Sequence, residues 1–170
     1  MSRPHHSRVE IVTSTEAQPS ALAKPLVAAG VIFVDEHDRL LLVRPTYKEY
    51  WDIPGGYVEP GESPREAVVR EVAEELGIRP PIGDLLSVDW APHPEEGDKV
   101  LFIFDGGRLN PNVLSSVRFG DGEIAEYAFV PTADLDRFTI ARLVRRLQAT
   151  HAARGSGRST YLEHGAHPEA

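Results

Sequence analysis

Apolar positions recur along the chain in two rhythms. Residues 26–34 form a nearly continuous apolar, β-branched run interrupted by Gly30, which predicts a buried strand. Asp35-Glu36-His37-Asp38 predicts a turn, and residues 40–43 predict a second strand, so the two form a hairpin. Residues 45–50 read as a loop, and 51–53 as a short strand ahead of the Gly/Pro-rich segment 54–61. The rhythm then changes: Val69, Val72, Ala73 and Leu76 follow i, i+3, i+4, i+7 spacing, which predicts a helix over 64–76 with that stripe on the core. Its start carries Ser63 as cap, Pro64 at the first helical position and Glu66 to close a capping box, and Gly77 is a natural stop. Further strands are predicted at 85–90, 100–104 and 124–130. A second helix is predicted at 139–149, with Ile140, Leu143, Val144 and Leu147 on one face. The acidic, proline-containing segment 91–99 reads as a loop, and there is no internal repeat. This order of elements predicts an α/β fold, a mixed sheet with helices packed on it. The domain is expected to span 25–152. A polar arm with a short strand at 9–12 precedes it (1–24), and a Gly/Ser-containing flexible tail follows (153–170).

Composition narrows the function classes. The chain has 170 residues, 41% of them apolar, enough for one domain with a core. Its formal net charge of −8 argues against a protein that grips nucleic acid, and it suits carboxylates gathered around divalent cations. There is no cysteine, so disulfides and thiolate metal sites are excluded. No apolar run approaches the roughly 20 residues that span a bilayer, and no secretory h-region follows the basic start. The expectation is a soluble cytoplasmic protein without a membrane partner. Oligomeric state is not legible in the sequence, and a homodimer is compatible with it.

The candidate chemistry lies on the first helix. Glu71, Glu74 and Glu75 are related by i, i+3 and i+4 and, at about 100° per residue, share a face that is expected nearly opposite the apolar stripe. Like charges so placed repel, and a hard divalent cation would offset that cost; a plain solvated acidic face is the competing reading. The preceding loop shifts the balance. Gly55-Gly56 permits tight backbone geometry, Pro60-Gly61 makes a second turn, and Glu62 reaches the helix N-terminus. A glycine loop and a helix N-terminus beside an acidic face suit a phosphate-bearing ligand.

The stretch from Gly56 to Ile78 resembles a full Nudix box, G-x5-E-x7-R-E-U-x-E-E-x-G-U, where U is a bulky aliphatic residue. Gly56, Glu62, Arg70, Glu71, Glu74, Glu75 and Gly77 fill its fixed positions, and Val72 and Ile78 its aliphatic ones. The lead-in Trp51-Asp52-Ile53-Pro54-Gly55 is similar to that of many Nudix proteins. The resemblance implies a Nudix-type α/β/α sandwich with a mixed sheet. It also implies Mg2+ or Mn2+ held by Glu71, Glu75 and Glu74, with Glu62 in or near the metal shell. Arg70 would orient a carboxylate through a charge-assisted hydrogen bond. Because Arg70 adjoins Glu71, its side chain is expected to diverge from that residue and to meet Glu62, Glu66 or Glu74. The implied reaction is attack of water at phosphorus in a nucleoside diphosphate linked to another moiety, the class that includes ADP-ribose, nucleotide sugars and (oxidised) dNTPs.

Several roles stay open at this level. The general base is a box glutamate, such as Glu71 or Glu74, or a downstream one, Glu123 or Glu126; an outward-facing strand residue is the alternative for Glu126. Gly55, Gly56, Arg44 and Trp51 are the substrate-binding candidates. For Trp51 and Tyr50 the choice lies between stacking on a base and packing at the rim, and Arg44 and Lys48 either meet phosphate or are solvated. The histidines lack metal-ligand spacing. The alternative to a hydrolase is a non-catalytic Nudix-fold module that binds a nucleotide for regulation, for which the complete set of acids would be superfluous. A prenyl diphosphate isomerase on the same fold would want a cysteine. Pro92 and Pro94, 14 and 16 positions beyond Ile78, resemble the proline of Nudix members that act on ADP-ribose, and the Trp51 lead-in resembles that of members that act on nucleoside triphosphates. The expectation is broad activity on purine nucleotide derivatives, with ADP-ribose slightly ahead.

Overall fold

A computed structural model describes residues 22–120 and 122–169. The strands are β1 (Leu26–Val34), β2 (Leu40–Pro45), β3 (Gly55–Tyr57), β4 (Leu85–Trp90), β5 (Lys99–Arg108), β6 (Ile124–Val130) and β7 (Thr160–Glu163). The helices are α1 (Pro64–Leu76), α2 (Pro111–Ser115) and α3 (Ala141–Ser156), with a 3-10 turn at Thr132–Arg137. The expected strand at 9–12 lies outside the described residues.

All seven strands form one mixed sheet in the order β6-β2-β1-β5-β4-β7, with β3 added to β1. β1 runs antiparallel to β2 and β3 and parallel to β5. Both sheet faces are covered, which explains the unbroken apolar run of β1. Ala29, Val31 and Phe33 point to the side packed by α1, while Ile32 and Val34 pack with Leu143 and Leu147 of α3. Leu41 and Val43 of β2 take the first side and Leu40 and Leu42 the second. The result is the α/β/α sandwich that the resemblance implied.

The helix α1 starts as its sequence predicts. The Ser63 hydroxyl accepts from the Glu66 N–H, the Glu66 carboxylate accepts from the Ser63 N–H, and Gly77 ends the helix in the left-handed region at φ 67°. Its buried stripe, however, is Ala67, Val68, Val72 and Leu76, and it takes in Glu75, whereas Val69 and Ala73 are half-buried. The stripe is thus rotated from the expected one, and the acids are not opposite it. Glu71 and Glu75 sit at the border of the core and meet β3, because β3 has no side chain at Gly55 or Gly56 to fill that space.

The chain end corrects the domain boundary. The expected flexible tail from 153 begins as the last turn of α3, which continues through Ser156, and goes on to β7, parallel to β4. Leu162 of β7 is fully buried. Asp89 of β4, also fully buried, pairs with Arg146 of α3 and accepts the Gly165 N–H at 3.1 Å. A Gly/Ser-rich linker here joins two ordered elements, and the burial of Leu162 outweighs its local freedom. Among the described residues no helix is long and apolar enough to cross a membrane.

Candidate active site

Arg70 organises the acids. Its Nε donates to Glu62 Oε1 at 2.7 Å, and one terminal nitrogen donates to Glu62 Oε2 at 3.1 Å and to the Tyr57 carbonyl at 3.1 Å. The other terminal nitrogen donates to Glu71 Oε1 at 2.9 Å and Glu74 Oε2 at 3.0 Å. The expected partners Glu62 and Glu74 are therefore met. Glu66 instead closes the capping box, and Glu71 is met despite being adjacent, because both side chains lean toward β3. The guanidinium, with the Glu59 N–H, holds the Glu62 carboxyl down at about 2.

Glycines bring these carboxylates to the sheet. Glu75, buried, accepts the Gly55 N–H at 3.1 Å. A Cβ on Gly56 would lie 2.2 Å from Glu71 Oε1, and one on Gly55 would lie 2.3 Å from the Ala29 carbonyl oxygen. Burial pushes the Glu71 carboxyl up against the pull of Arg70, and the charges of Glu74 and Glu123 push the same way. Among the described residues no three acidic or histidine side chains surround a common point as a metal ion would require. The glutamates of the box converge on Arg70 and on the glycine backbone instead, with Glu74 turned outward.

The downstream candidates separate. Glu126 faces Arg44 across the β2–β6 pair and forms an ion pair with it, so the two neutralise each other on a half-exposed strand surface. Glu123 lies close enough to raise both Glu71 and Tyr47. Its backbone is anchored, with the Thr46 N–H donating to the Glu123 carbonyl at 2.7 Å.

Beside Gly55 and Gly56 a cleft of about 370 Å3 opens over β1 and β5. Ala28, Ala29, Gly30, Leu101 and Ile103 line it from the sheet, Tyr47, Lys48 and Tyr50 from the loop after β2, and Ile140, Arg142 and Leu143 from the α3 end. Lys48 bonds Asp52 at 2.6 Å and lies over the rings of Tyr47 and Tyr50. Tyr57, Lys99 and Glu96 are bonded to one another at its rim. A larger open depression of about 870 Å3 near Gly77 and Asn110 contains none of the box glutamates.

Of the substrate-binding candidates, Gly55 and Gly56 line the cleft, whereas Arg44 and Trp51 do not. Trp51 stacks edge-on against Phe138 at 5.5 Å and accepts the Thr139 hydroxyl on its carbonyl, so it packs the rim. Sequence reasoning missed Tyr57, Lys99 and Arg142, and it left Lys48 between phosphate and solvent. These residues come from separate elements, and no spacing in the chain links them.

The geometry agrees with the comparisons. The NUDIX domain family matches residues 24–149. An ADP-ribose pyrophosphatase of Methanocaldococcus jannaschii is 39% identical over 92 residues, covering 50% of this chain and 54% of that protein. An 8-oxo-dGDP phosphatase of Homo sapiens is 34% identical over 108 residues, covering 61% of this chain and 32% of that protein. The chain thus spans about half the length, or less, of these curated relatives. Among solved structures, a MutT protein from Methanosarcina mazei Go1 superposes with a TM-score of 0.64 at 27% identity, covering 82% of this chain and all of that one. The box, its arginine-centred acids and the sandwich through most of α3 all fall within the matched residues, and the chain belongs to the NUDIX domain family.

Proposed function

We propose that the chain is a pyrophosphohydrolase that cleaves the phosphoanhydride bond of a nucleoside diphosphate linked to another group. The observation that carries this reading is the Arg70 hub, which fixes Glu62, Glu71 and Glu74 beside a cleft of nucleotide size while Glu75 is fixed on Gly55. The relatives named for ADP-ribose and 8-oxo-dGDP take substrates that contain the same nucleoside diphosphate anhydride.

The oxygen chemistry of these residues suits Mg2+ or Mn2+, though their carboxylates bind Arg70 and the Gly55 N–H and do not surround a common point. Glu71 and Glu75 present hard carboxylate oxygens at a glycine loop where any side chain would intrude, and Glu62 and Glu74 are the further oxygens within the same hub. When bound, the ion neutralises charge on the phosphoryl oxygens and acidifies water. The chain does the positioning. Gly55 and Gly56 admit the diphosphate against the backbone, and Arg70 keeps the carboxylates from turning away. The proton of the attacking water would go to a carboxylate oxygen of Glu123, whose backbone is bonded to Thr46 beside the cleft residue Tyr47, whereas Glu126 is paired with Arg44 on the β2–β6 surface.

The test is hydrolysis of ADP-ribose, nucleotide sugars, dNTPs and oxidised dNTPs at one Mg2+ concentration. Turnover is expected, with Glu75→Gln slower by about 10²-fold or more. Full turnover in excess chelator would overturn the metal assignment, and no hydrolysis of any of these by the native protein would overturn the activity.

A further inference from the structure

The cations that line the cleft are unequal. Lys48 is bound to Asp52, Lys99 to Glu96 and the Tyr57 hydroxyl, and Arg146 to the buried Asp89. Arg142 also lines the cleft and is half-buried, yet its side chain makes no hydrogen bond or ion pair among the described residues. It stands in the first turn of α3, where the helix macrodipole disfavours a cation, and no acidic residue shares that turn. Helix stability therefore does not explain an arginine there.

The rest of the cleft indicates what it meets. The sheet side is apolar, Ile140 and Leu143 line the cleft with Arg142, and Tyr47 and Tyr50 line it from the loop after β2. Such walls suit a flat heteroaromatic ring better than a second phosphate, which would lose hydration against them. A guanidinium has only donors to offer. On the edge of a guanine, O6 and N7 are adjacent acceptors that accept two parallel N–H bonds. Adenine presents an amino group in place of O6, donor against donor, and a site built to donate there rejects it.

We infer that Arg142 is a specificity-determining residue that reads the base of the substrate and selects a guanine-type 6-oxopurine over adenine. The inference rests on the cleft being the nucleotide site proposed above, and it reverses the sequence expectation that placed ADP-ribose ahead. The diphosphate lies at Gly55-Gly56, and the base extends across β1 and β5 toward α3.

Equilibrium binding tests it without depending on turnover. The dissociation constants of GDP and ADP are measured by titration calorimetry for the native protein, Arg142→Ala and Arg142→Lys. The native protein is expected to bind GDP about tenfold or more tighter than ADP. Arg142→Ala should abolish that ratio by weakening GDP alone, and Arg142→Lys should restore it only in part, since an ammonium lacks the two-point fork. Melting temperatures of the variants should match the native value, because the side chain bonds nothing in the fold. Equal affinities in the native protein, a ratio that survives Arg142→Ala, or binding of neither nucleotide would overturn the inference. Native binding with the expected ratio but without hydrolysis would instead overturn the proposed activity and leave the base reading intact.

Discussion

At the scale of the residue, the site is a contest for a few carboxylates. Glu123 and Glu126 have the same side chain and lie on one short segment, yet Glu126 pairs with Arg44 on the strand surface while the Glu123 backbone is bonded to Thr46 beside the cleft residue Tyr47. Glu123→Gln is therefore expected to lower kcat by about 10²-fold or more, as loss of a general base does. Glu126→Gln should stay within a few-fold of the native rate, and steady-state kinetics on one substrate ranks the two. Arg70 acts on the acids and lies off the cleft lining, so Arg70→Ala should reduce kcat by more than it raises KM. An unchanged kcat with a raised KM would place the guanidinium on the substrate instead.

At the scale of the element, the loop between β4 and β5 is clasped to the rim of the cleft. Lys99 and the Tyr57 hydroxyl hold the Glu96 carboxyl down at about 2 from an ordinary 4.5. A carboxyl depressed by folding stabilises the clasp in full above pH 4.5, and that contribution is lost as pH falls through about 2. Carbon NMR should find Glu96 titrating near that low value, and Lys99→Ala should return it toward the ordinary range. Loop amides that exchange faster in Lys99→Ala would locate the effect. The same loop marks where sequence reading stops. The helix α1 was legible because cap, proline, stripe and stop agree along one stretch, and the box acids came with it. β3 was not, since Gly-Gly-Tyr has no preference for a strand and forms one by pairing with Ala28–Gly30 of β1. The clasp and the cleft were hidden for a related reason: Tyr57, Glu96 and Lys99 meet only once β3 and β5 have both joined β1. Even the orientation of α1 followed from packing, as the close approach of Glu71 to Gly56 turned the helix away from the face its apolar spacing favoured.

At the scale of the molecule, the sandwich extends beyond the residues that match the family, and β7 closes an edge of the sheet. Removing residues 158–170 would bare the β4 edge, delete the buried Leu162 and take one donor from Asp89. Lost burial alone is worth about 1.5–3 kcal/mol. Calorimetry should therefore show a melting temperature lower by roughly 3–12 °C, and the open edge should promote aggregation on heating. An unchanged melting curve would mean that β7 adds nothing to the fold. The parallel ladder that joins Leu26 to Lys99 and Val31 to Phe104 has a different consequence. No turn sets its register, and β2, β3, α1 and β4 all lie between its two strands in sequence. Contacts of such sequence separation are slow to close and dominate the folding time of a domain. Because the floor of the cleft is this ladder, no ligand can seat there before that pairing closes. A refolding chain would gain its hairpin and the first turns of its helix early, and its affinity for ligand all at once at the end.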